Sequence, residues 1–351
     1  MNKTRTKFFF LFLLILCLGI GIFARYSYTF INTPADPNAK AMALEIPEGS
    51  SLQQICQILA DKNVITDAAK FKLYARFKNT ATHIQAGTFL LSPAWTPAKI
   101  LTELTSGSAI LYKITIREGL PWWEVAKLFE EQGYCTAADF KAVIYDKDFL
   151  QRKGIPFINA EGYLYPETYL LQKPKEMSKE TAYKVVNRLI DTFFQKTKVL
   201  RENEEYDKIF HDPQKLNEIL TLASIVEKET RVMEERPIVA GVYTNRLKRN
   251  MILQADPTVI YGLGESFQGQ LLRKHLQDAD NPYNTYQHEG LPPSPICSPS
   301  LSAIKASLAP QEHDYIFFVA KGIGAGHVFT TNLHDHNIAV EEYKNNLKRN
   351  K

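Results

Sequence analysis

The 351-residue sequence contains few of the residues that build disulfide frameworks or metal centres. It has 4 cysteines, of which Cys17 lies in an apolar amino-terminal stretch, leaving Cys56, Cys135 and Cys297. Three is an odd number, so at least one of them stays unpaired in an oxidising compartment and no disulfide framework is expected. Neither a Cys-x-x-Cys nor a His-Glu-x-x-His pattern occurs, so the sequence gives little support for a zinc site.

A strong excess of charge of either sign is also absent. The chain has 42 basic and 38 acidic residues, a net charge of +4, which gives no reason to expect a nucleic-acid partner. The glycines of residues 322–326 are not followed directly by a helix, which excludes a phosphate-binding loop. His334 and His336 flank Asp335, and we interpret this cluster as the solvated start of the last helix. We therefore expect neither a metal nor a cofactor.

The amino terminus has the pattern of a retained membrane anchor. Lys3, Arg5 and Lys7 precede an uncharged apolar run over residues 8–24, which Arg25 closes. The run is at the short end of what spans a bilayer, and no small-x-small cleavage site follows it. The basic flank predicts a cytoplasmic tail over residues 1–7. We thus expect a single-pass inner (plasma) membrane protein with residues 25–40 as linker and the catalytic part in the periplasm.

An internal duplication follows the linker at a constant offset of 70 residues, pairing for example Ile55 with Val125. Each copy, over residues 41–112 and 113–160, has the pattern of a strand, a glycine turn and an amphipathic helix. The first resembles a LysM-type βααβ module, a class that binds N-acetylated glycans; alternatively, both copies only pack against the rest of the chain. Trp122 and Trp123 could stack on a sugar, but adjacent helical residues point about 100° apart, so at least one belongs to the core.

The most informative residue is Glu227, which ends an apolar run on a predicted helix that begins at Asp212 and Pro213. Helical periodicity places Glu227 on one face with Leu220 and Ala223, so we expect it to be buried. Burial disfavours a charged carboxyl and would raise its pKa, as a general acid near neutral pH requires. Glu229, about 200° further round the helix, is predicted to face solvent. The alternative for Glu227 is an ordinary ion-paired residue.

Further sequence blocks carry a family resemblance. They are Leu-Ala-Ser-Ile-Val-Glu-Lys-Glu-Thr at residues 222–230, Gln-Ala-Asp-Pro-Thr-Val-Ile-Tyr-Gly at 254–262, Tyr-Asn-Thr-Tyr at 283–286, Gly-Leu-Pro-Pro at 290–293, and Gly-His-Val-Phe with Thr-Asn at 326–332. In this order they resemble the endolytic murein transglycosylases of the YceG-like family, over nearly the whole chain. The resemblance implies an α+β fold with the catalytic domain over residues 161–351, and it places the catalytic glutamate at Glu227.

The resemblance also implies a reaction and its partners. Such a lyase cleaves the β-1,4 bond between N-acetylmuramic acid and N-acetylglucosamine in nascent peptidoglycan strands. It leaves a 1,6-anhydro end and limits strand length, and peptidoglycan synthases are the expected protein partners. One set of residues would line the substrate groove: Gln254, Tyr283, Asn284 and Tyr286, with His327 and Asn332 as further candidates. The aromatic and acidic residues of 161–169 suit a sugar-lined groove, or alternatively an edge strand containing a proline.

Two other functions remain open from the residues alone. A hydrolase of the same bond would use Glu227 as acid and Asp256 or Glu161 as base, because hydrolysis normally needs two carboxylates. A non-catalytic wall-binding scaffold would need neither. Asp256 stands before Pro257 and Ser298 before Pro299, a pattern that predicts both as helix caps. A helix is also predicted over Pro237–Lys248, and a β-hairpin over residues 315–320 and 327–330.

Overall fold

The computed structural model describes residues 25–80, 83–106, 111–155, 157–322 and 326–349, together with residues 13, 18, 19 and 21. Helices and strands divide into two compact units, Met1–Lys113 with Leu170–Lys173, and Ile114–Tyr169 with Pro174–Lys351. The mixed helix and sheet content confirms the α+β prediction. The predicted anchor over residues 8–24 lies outside the described residues, apart from those four positions. Within the described residues, no helix has the length and apolar character needed to cross a membrane.

The smaller unit contains the first copy of the duplication. Residues 25–32 are helical, and strand and helix then alternate. The elements are β1 (Met42–Ile46), α1 (Leu52–Asp61), α2 (Ala68–Phe77), β2 (Gly87–Leu91) and α3 (Pro97–Ser106). β1 pairs antiparallel with β2, with Ile46 opposite Gly87. Buried apolar side chains from every one of these elements form a single core between the sheet and the helices.

The second copy begins in the same way, with a strand and two helices, but a third helix then precedes its second strand. It comprises β3 (Tyr112–Thr115), α4 (Trp122–Glu131), α5 (Ala137–Ile144), α6 (Lys147–Arg152) and β4 (Thr168–Leu171), and β3 pairs with β4. α1 and α4 begin 70 residues apart, as the duplication predicts. Gly49 and Gly119, at equivalent turns, both have φ +76°, a left-handed conformation that favours glycine. The local backbone is therefore duplicated along with the sequence pattern.

The remaining elements build the larger unit around one buried helix. They are α7 (Lys179–Thr197), α8 (Glu204–Phe210), α9 (Pro213–Glu229), α10 (Arg236–Lys248), α11 (Asp256–Leu263), α12 (Arg273–Leu276), α13 (Leu301–Leu308), β5 (Phe317–Ala320), β6 (His327–Thr330) and α14 (Leu333–Arg349). Short 3₁₀ helices lie at Lys198–Glu202 and Met233–Glu235. α9 packs against α10, α11 and α13, and residues 220–226 are all buried. The helix that carries Glu227 is thus the centre of this unit.

Local sequence signals set several of these boundaries correctly. Asp212 caps α9 by accepting a hydrogen bond from the Lys215 backbone N–H at 3.2 Å, and Pro213 occupies the first turn, as predicted. The helix predicted over 237–248 is α10. The predicted hairpin is the antiparallel pair β5–β6, with Ala320 opposite His327. The glycine-rich connection includes residues 323–325, which lie outside the described residues.

Two predicted helix caps are wrong. α13 is capped by Ser300 rather than Ser298, with the Ser300 hydroxyl accepting from the Ala303 backbone N–H at 3.2 Å. Asp256 is the first residue of α11, the cap position is Ala255, and no side chain caps this helix. An aspartate–proline or serine–proline pair marks the approach to a helix, and tertiary hydrogen bonds decide which residue caps it.

Candidate active site

The carboxyl of Glu227 lies in a buried polar junction between three segments. Its side chain is 6% exposed, and its Oε1 accepts from Arg236 Nη2 at 2.7 Å. Oε2 accepts from the Ser300 backbone N–H at 2.9 Å. Arg236 also donates to the Ser300 hydroxyl at 2.6 Å and to the hydroxyl of Ser302. The burial predicted for Glu227 is confirmed, and its charge is compensated by a guanidinium that the sequence analysis did not identify.

The neighbouring turn of the second copy covers this junction. The Gly119 backbone N–H donates to the Ser298 carbonyl at 2.9 Å, and Lys228 Nζ donates to the Gly119 carbonyl at 3.2 Å. A Cβ added to Gly119 would lie 3.8 Å from Glu227 Cγ. Glu227 therefore connects α9 to α10 and α13 beneath a closed turn, an arrangement that holds elements together.

Glu229 occupies a different environment at the last residue of α9. The residue as a whole is half-buried, as Glu227 is, and its Oε1 accepts from the Tyr243 hydroxyl at 2.9 Å. Burial raises the pKa of Glu229 to about 7, and the charge of Asp256 adds to this, while the Tyr243 hydrogen bond and the charge of Arg246 oppose it. The prediction that Glu229 faces solvent is wrong, because α10 packs against the opposite side of the helix end.

A polar cluster surrounds Glu229 on that side. The Gln254 backbone N–H donates to the Thr285 carbonyl at 3.0 Å, which places the 254–256 and 285–286 segments side by side. The Tyr286 hydroxyl then donates to Asp256 Oδ1 at 2.6 Å, and burial together with this carboxylate raises the pKa of Tyr286. The structure thereby brings two predicted substrate residues, Gln254 and Tyr286, to one place near Glu229.

The backbone of Gln254 is strained within this cluster. Its φ is +52°, a left-handed conformation that costs a non-glycine residue about 1 kcal/mol or more. The side chain is exposed rather than packed in the core. Strain of this kind persists where surrounding structure fixes the backbone, and it concentrates at functional sites. Gln254 therefore remains a candidate for substrate contact on structural as well as sequence grounds.

Tyr283 and Asn284 have different surroundings, although they are adjacent. The Tyr283 ring lies 4.9 Å from that of Tyr261, and its hydroxyl is 2.7 Å from the Ser294 hydroxyl. Asn284 is fully buried, and its amide donates to the carbonyls of three residues, His275, Leu276 and Asp278. A buried amide used in this way holds a loop, and contact with a substrate would require the loop to open.

The remaining two predicted substrate residues make internal contacts. His327 Nδ1 lies 2.7 Å from Glu235 Oε2, and its backbone N–H donates to Glu235 Oε1 at 2.8 Å. Thr230, which follows Glu229, also donates to Glu235, at 3.4 Å. Asn332 Oδ1 accepts from the Asp335 backbone N–H at 3.0 Å, at the start of α14. His327 is thus linked to the end of α9 through Glu235, whereas Asn332 fixes the start of a helix.

Glu161 is a second carboxyl with a strongly altered pKa. It is 1% exposed, and its Oε2 accepts from the Trp122 backbone N–H at 2.9 Å, at the start of α4. Burial raises the pKa of Glu161 to about 8 against the effect of that hydrogen bond. Trp122 is 6% exposed and Trp123 half-buried, which confirms that at least one of the pair belongs to the core. Glu161 stabilises the start of α4.

The aromatic residues of the 161–169 segment do not line a groove. Tyr163, Tyr165 and Tyr169 are 1%, 7% and 3% exposed. The Tyr169 hydroxyl donates to the Tyr165 carbonyl at 2.7 Å, and Tyr163 packs on Phe193 with ring centres 5.0 Å apart. Of the two interpretations left open by the sequence, the sugar-lined groove is excluded for these three rings. Their role is to pack the turn and β4 against α7.

No metal ligand set is found in the part of the chain that the structure describes, where no group of three or more His, Cys, Asp or Glu side chains could hold an ion. Cys56, Cys135 and Cys297 are buried and free. His336, predicted to be solvated, is half-buried, and burial lowers its pKa while its ring stacks on Phe317 at 5.0 Å.

The sequence analysis missed four residues of the site: Glu229, Arg236, Tyr243 and Arg246. Tyr243 and Arg246 are three positions apart on α10, so they share one helix face, and both are buried. A buried arginine and a buried tyrosine hydroxyl need polar partners, which is the signal that could have located them. The partner of the Tyr243 hydroxyl, however, is Glu229, 14 residues away on another helix, and only the packing of α10 on α9 reveals it. Arg246 donates to the Leu253 and Ile316 carbonyls and acts on Glu229 through its charge.

The fold and the site together define an α+β protein. At the end of its central helix lies the half-buried Glu229, whose carboxyl has a pKa near neutrality, an arrangement typical of general acid–base catalysis. The sequence profile of the YceG-like family matches residues 44–342. The chain belongs to the YceG-like family, as its sequence blocks predict.

Three relatives illustrate this membership. An endolytic murein transglycosylase of Bacillus subtilis is 31% identical over 331 residues, covering 88% of this chain and 87% of the relative. A protein of the same name from Streptococcus pneumoniae is 30% identical over 346 residues, covering 89% of this chain and 60% of the longer relative. The crystal structure of a putative YceG-like protein from Listeria monocytogenes superposes with a TM-score of 0.56 at 31% identity, covering 86% of this chain and 99% of that one.

Proposed function

We propose that this protein is an endolytic lytic transglycosylase of peptidoglycan. It cleaves the β-1,4 bond between N-acetylmuramic acid and N-acetylglucosamine and leaves a 1,6-anhydro-N-acetylmuramic acid end. Family membership and the names of the Bacillus and Streptococcus relatives support the class of enzyme. The observation that carries the chemistry is the environment of Glu229, a half-buried carboxyl whose pKa is raised to about 7. Such a group holds a proton in a large fraction of molecules at neutral pH.

The geometry favours Glu229 over Glu227 as the proton donor. Both oxygens of Glu227 are hydrogen-bonded, one of them to a guanidinium, so releasing this carboxyl for catalysis would leave Arg236 buried without its charge partner. Glu229 has one hydrogen bond from Tyr243 and lies within range of the charge of Asp256, which is exposed. We assign acid and base roles to Glu229 and a positioning role to Glu227. The catalytic role of Glu227, which the sequence predicts, stays a prediction. The two variants described below distinguish it from a catalytic role of Glu229.

One carboxyl suffices for the proposed reaction. Glu229 donates its proton to the glycosidic oxygen as the bond from that oxygen to C1 of the muramic acid breaks. The resulting carboxylate then takes the proton of the muramic acid 6-hydroxyl, whose oxygen attacks C1 and closes the anhydro ring. The proton returns to Glu229, and no water is consumed. Burial raises the pKa of Glu229 towards the value that this cycle needs; the Tyr243 hydrogen bond and the charge of Arg246 lower it, and the charge of Asp256 raises it.

Hydrolysis of the same bond is the alternative reaction, and the position of Asp256 supports it. Asp256 is exposed and close enough to Glu229 to raise its pKa, so it could activate a water molecule. Glu161, the other base considered from the sequence, is buried and hydrogen-bonded to the start of α4, which removes it from contact with water.

The decisive experiment analyses the products of purified sacculi digested in H₂¹⁸O. A transglycosylase yields ends one water lighter than reducing ends, without solvent oxygen, whereas a hydrolase yields reducing ends that carry ¹⁸O. Internal cleavage, seen as a broad distribution of fragment lengths, supports the endolytic mode. Products that consist only of disaccharides would contradict the endolytic mode. Reducing ends labelled with ¹⁸O would overturn the transglycosylase proposal and assign Asp256 as base.

Two matched variants separate the candidate acids. Glu229→Gln keeps a hydrogen-bond acceptor for Tyr243 but cannot cycle protons, so turnover should fall by about 10²-fold or more with little change in melting temperature. Glu227→Gln should retain more turnover but lose thermal stability, because it weakens the pair with Arg236. The opposite result, in which only Glu227→Gln is inactive and stable, would return the acid role to Glu227.

The first copy of the duplication is proposed to bind glycan strands as a LysM-like module. A hollow of about 410 Å³ lies at its turn, lined by residues that include Glu48, Gln54 and Gln57. In the second copy the equivalent turn is occupied by Lys228 and Ser298, so only the first copy offers this surface. Loss of sacculus binding in Gln54→Ala with Gln57→Ala, with cleavage of soluble glycan fragments unchanged, would support this role; unchanged sacculus binding would contradict it.

The remaining proposals follow from the amino-terminal sequence and the resemblance. A single membrane anchor would hold the enzyme at the inner membrane, where nascent strands emerge, and cleavage there would limit strand length. Peptidoglycan synthases would be its neighbours. Cells that lack the activity should accumulate longer glycan strands, measurable by chromatography of amidase-treated sacculi. Strand lengths identical to those of wild-type cells would contradict the role in limiting length.

A further inference from the structure

Within the described residues, the smaller unit presents several large apolar side chains that are exposed together. We define the aromatic face as Tyr26, Phe30, Leu73, Tyr74 and Phe77, which line a hollow of about 430 Å³ between residues 25–32 and α2. Phe77 is 85% exposed, Tyr26 57% and Leu73 55%. Large apolar side chains this exposed and this close together mark an interaction surface.

α2 is attached to the helical segment 25–32 by cation–π contacts. Lys70 Nζ lies 4.3 Å from the centre of the Tyr26 ring and 5.6 Å from that of Phe30. It also pairs with Asp67 at 3.2 Å. These contacts fix the orientation of the exposed residues of α2 relative to the chain segment that leads to the predicted anchor.

Chain distance places the aromatic face next to the predicted bilayer. Tyr26 and Phe30 follow the apolar run over residues 8–24 by two and six positions. At 1.5 Å per helical residue, they lie about 3 to 9 Å beyond the end of that run. This is the depth of the headgroup region, where tyrosine and other aromatic side chains are enriched.

The charges around the face match a bilayer that contains anionic lipids. Residues 67–78 hold four basic residues, Lys70, Lys72, Arg76 and Lys78, against one acid, Asp67. Basic residues near an anionic membrane surface are attracted to it and strengthen binding. An apolar centre flanked by cations is the pattern of segments that lie in the interface without crossing it.

We propose that the aromatic face is a membrane-interface contact that holds the smaller unit against the outer leaflet of the bilayer. Its occupant is lipid, with the first methylenes of the acyl chains, next to the ester groups, in the hollow and anionic headgroups at the basic residues of α2. The proposal rests on the anchored orientation given under Proposed function, and it is independent of which carboxyl is catalytic. It adds a second attachment, which restricts how far the unit can move from the membrane surface.

The test measures the environment of Phe77 in the full-length chain reconstituted in nanodiscs of phosphatidylethanolamine and phosphatidylglycerol. Phe77→Cys is labelled with an environment-sensitive fluorophore, and Leu90→Cys is the matched control, because Leu90 is 53% exposed on β2 of the same unit. The described native cysteines are buried and should not react. We expect a blue-shifted emission at position 77 and several-fold stronger quenching by a shallow spin-labelled lipid than at position 90.

Three other results would overturn the proposal. Equal quenching of both labels by aqueous iodide, with none by the lipid, would show an exposed face. Protection of position 77 that persists in detergent at all protein concentrations would show that the chain covers itself. Protection that grows with protein concentration would show a second copy instead. Glycan cleavage measured on the same unlabelled preparations reports the catalytic proposal separately, because neither position lies in the larger unit.

Discussion

At the residue scale, the two glutamates of one helix end have different chemistry because their neighbours differ. Glu227 is paired with Arg236 and a backbone N–H, while Glu229 has a tyrosine hydroxyl and the opposing charges of Asp256 and Arg246 around it. Separation by two positions turns the side chains to opposite sides of the helix. The different surroundings of the two carboxyls therefore follow from the elements packed on each side, which the local sequence does not specify.

The pH dependence of the enzyme should report Glu229. The donor must be protonated, so kcat/KM should fall as pH rises through about 7. Tyr243→Phe removes a hydrogen bond that lowers this pKa and should move the alkaline limb to higher pH. Asp256→Asn removes a charge that raises it and should move the limb to lower pH. Rate profiles measured on soluble glycan fragments check both signs; two variants that change rate without moving the limb would point to another acid.

Glu161 should make stability depend on pH. Its pKa is about 8 in the folded protein and near 4.5 when unfolded, so its contribution is fully present below about pH 4.5 and is lost as pH rises towards 8. The loss is up to about 5 kcal/mol by linkage. Glu161→Gln should flatten this dependence over pH 5 to 8, as measured by urea unfolding. Parallel curves for variant and wild type would contradict the assignment.

At the scale of elements, the Glu227–Arg236 pair joins the end of α9 to the starts of α10 and α13. Both side chains are nearly buried, at 6% and 8% exposure. A buried pair of this kind stabilises little compared with well-packed apolar residues, but removing one partner leaves a buried charge uncompensated. Its function is thus to fix the relative positions of three helices, two of which carry Glu229 and Tyr243.

Arg236→Met should destabilise the protein by about 3 to 5 kcal/mol, because it leaves the Glu227 carboxylate buried without its cation. The double variant Arg236→Met with Glu227→Leu should recover much of this loss. Urea unfolding of the two single variants and the double variant gives the coupling energy directly. Additive effects of the two substitutions would show that the pair does not act as a unit.

At the scale of the whole molecule, the predicted orientation is a cytoplasmic amino terminus with all residues after the anchor exported. Alkaline phosphatase fused after Lys351 should therefore be active, and the same enzyme fused after Lys7 should not. The anchored protein should sediment with membranes after lysis. Its appearance in the soluble periplasm would show that residues 8–24 are a cleaved signal instead.

The sequence by itself determined the features that depend on local periodicity and order. The duplication, the cap of α9 at Asp212 and the burial of Glu227 follow from residue spacing along the chain, and the sequence blocks carry the resemblance to the family whose profile matches the chain. Local signals suffice here because a helix face and a capping hydrogen bond involve residues within a few positions of each other.

Only the tertiary structure decided which polar groups meet. Arg236 reaches Glu227, Tyr243 reaches Glu229, and Tyr286 reaches Asp256 across 9, 14 and 30 positions in the sequence. The pKa of a carboxyl depends on desolvation and on charges within a few ångströms, and these come from elements distant in the chain. The sequence could therefore locate the helix that carries both glutamates, whereas the packing of α10 and α11 against its end determines the surroundings of each carboxyl.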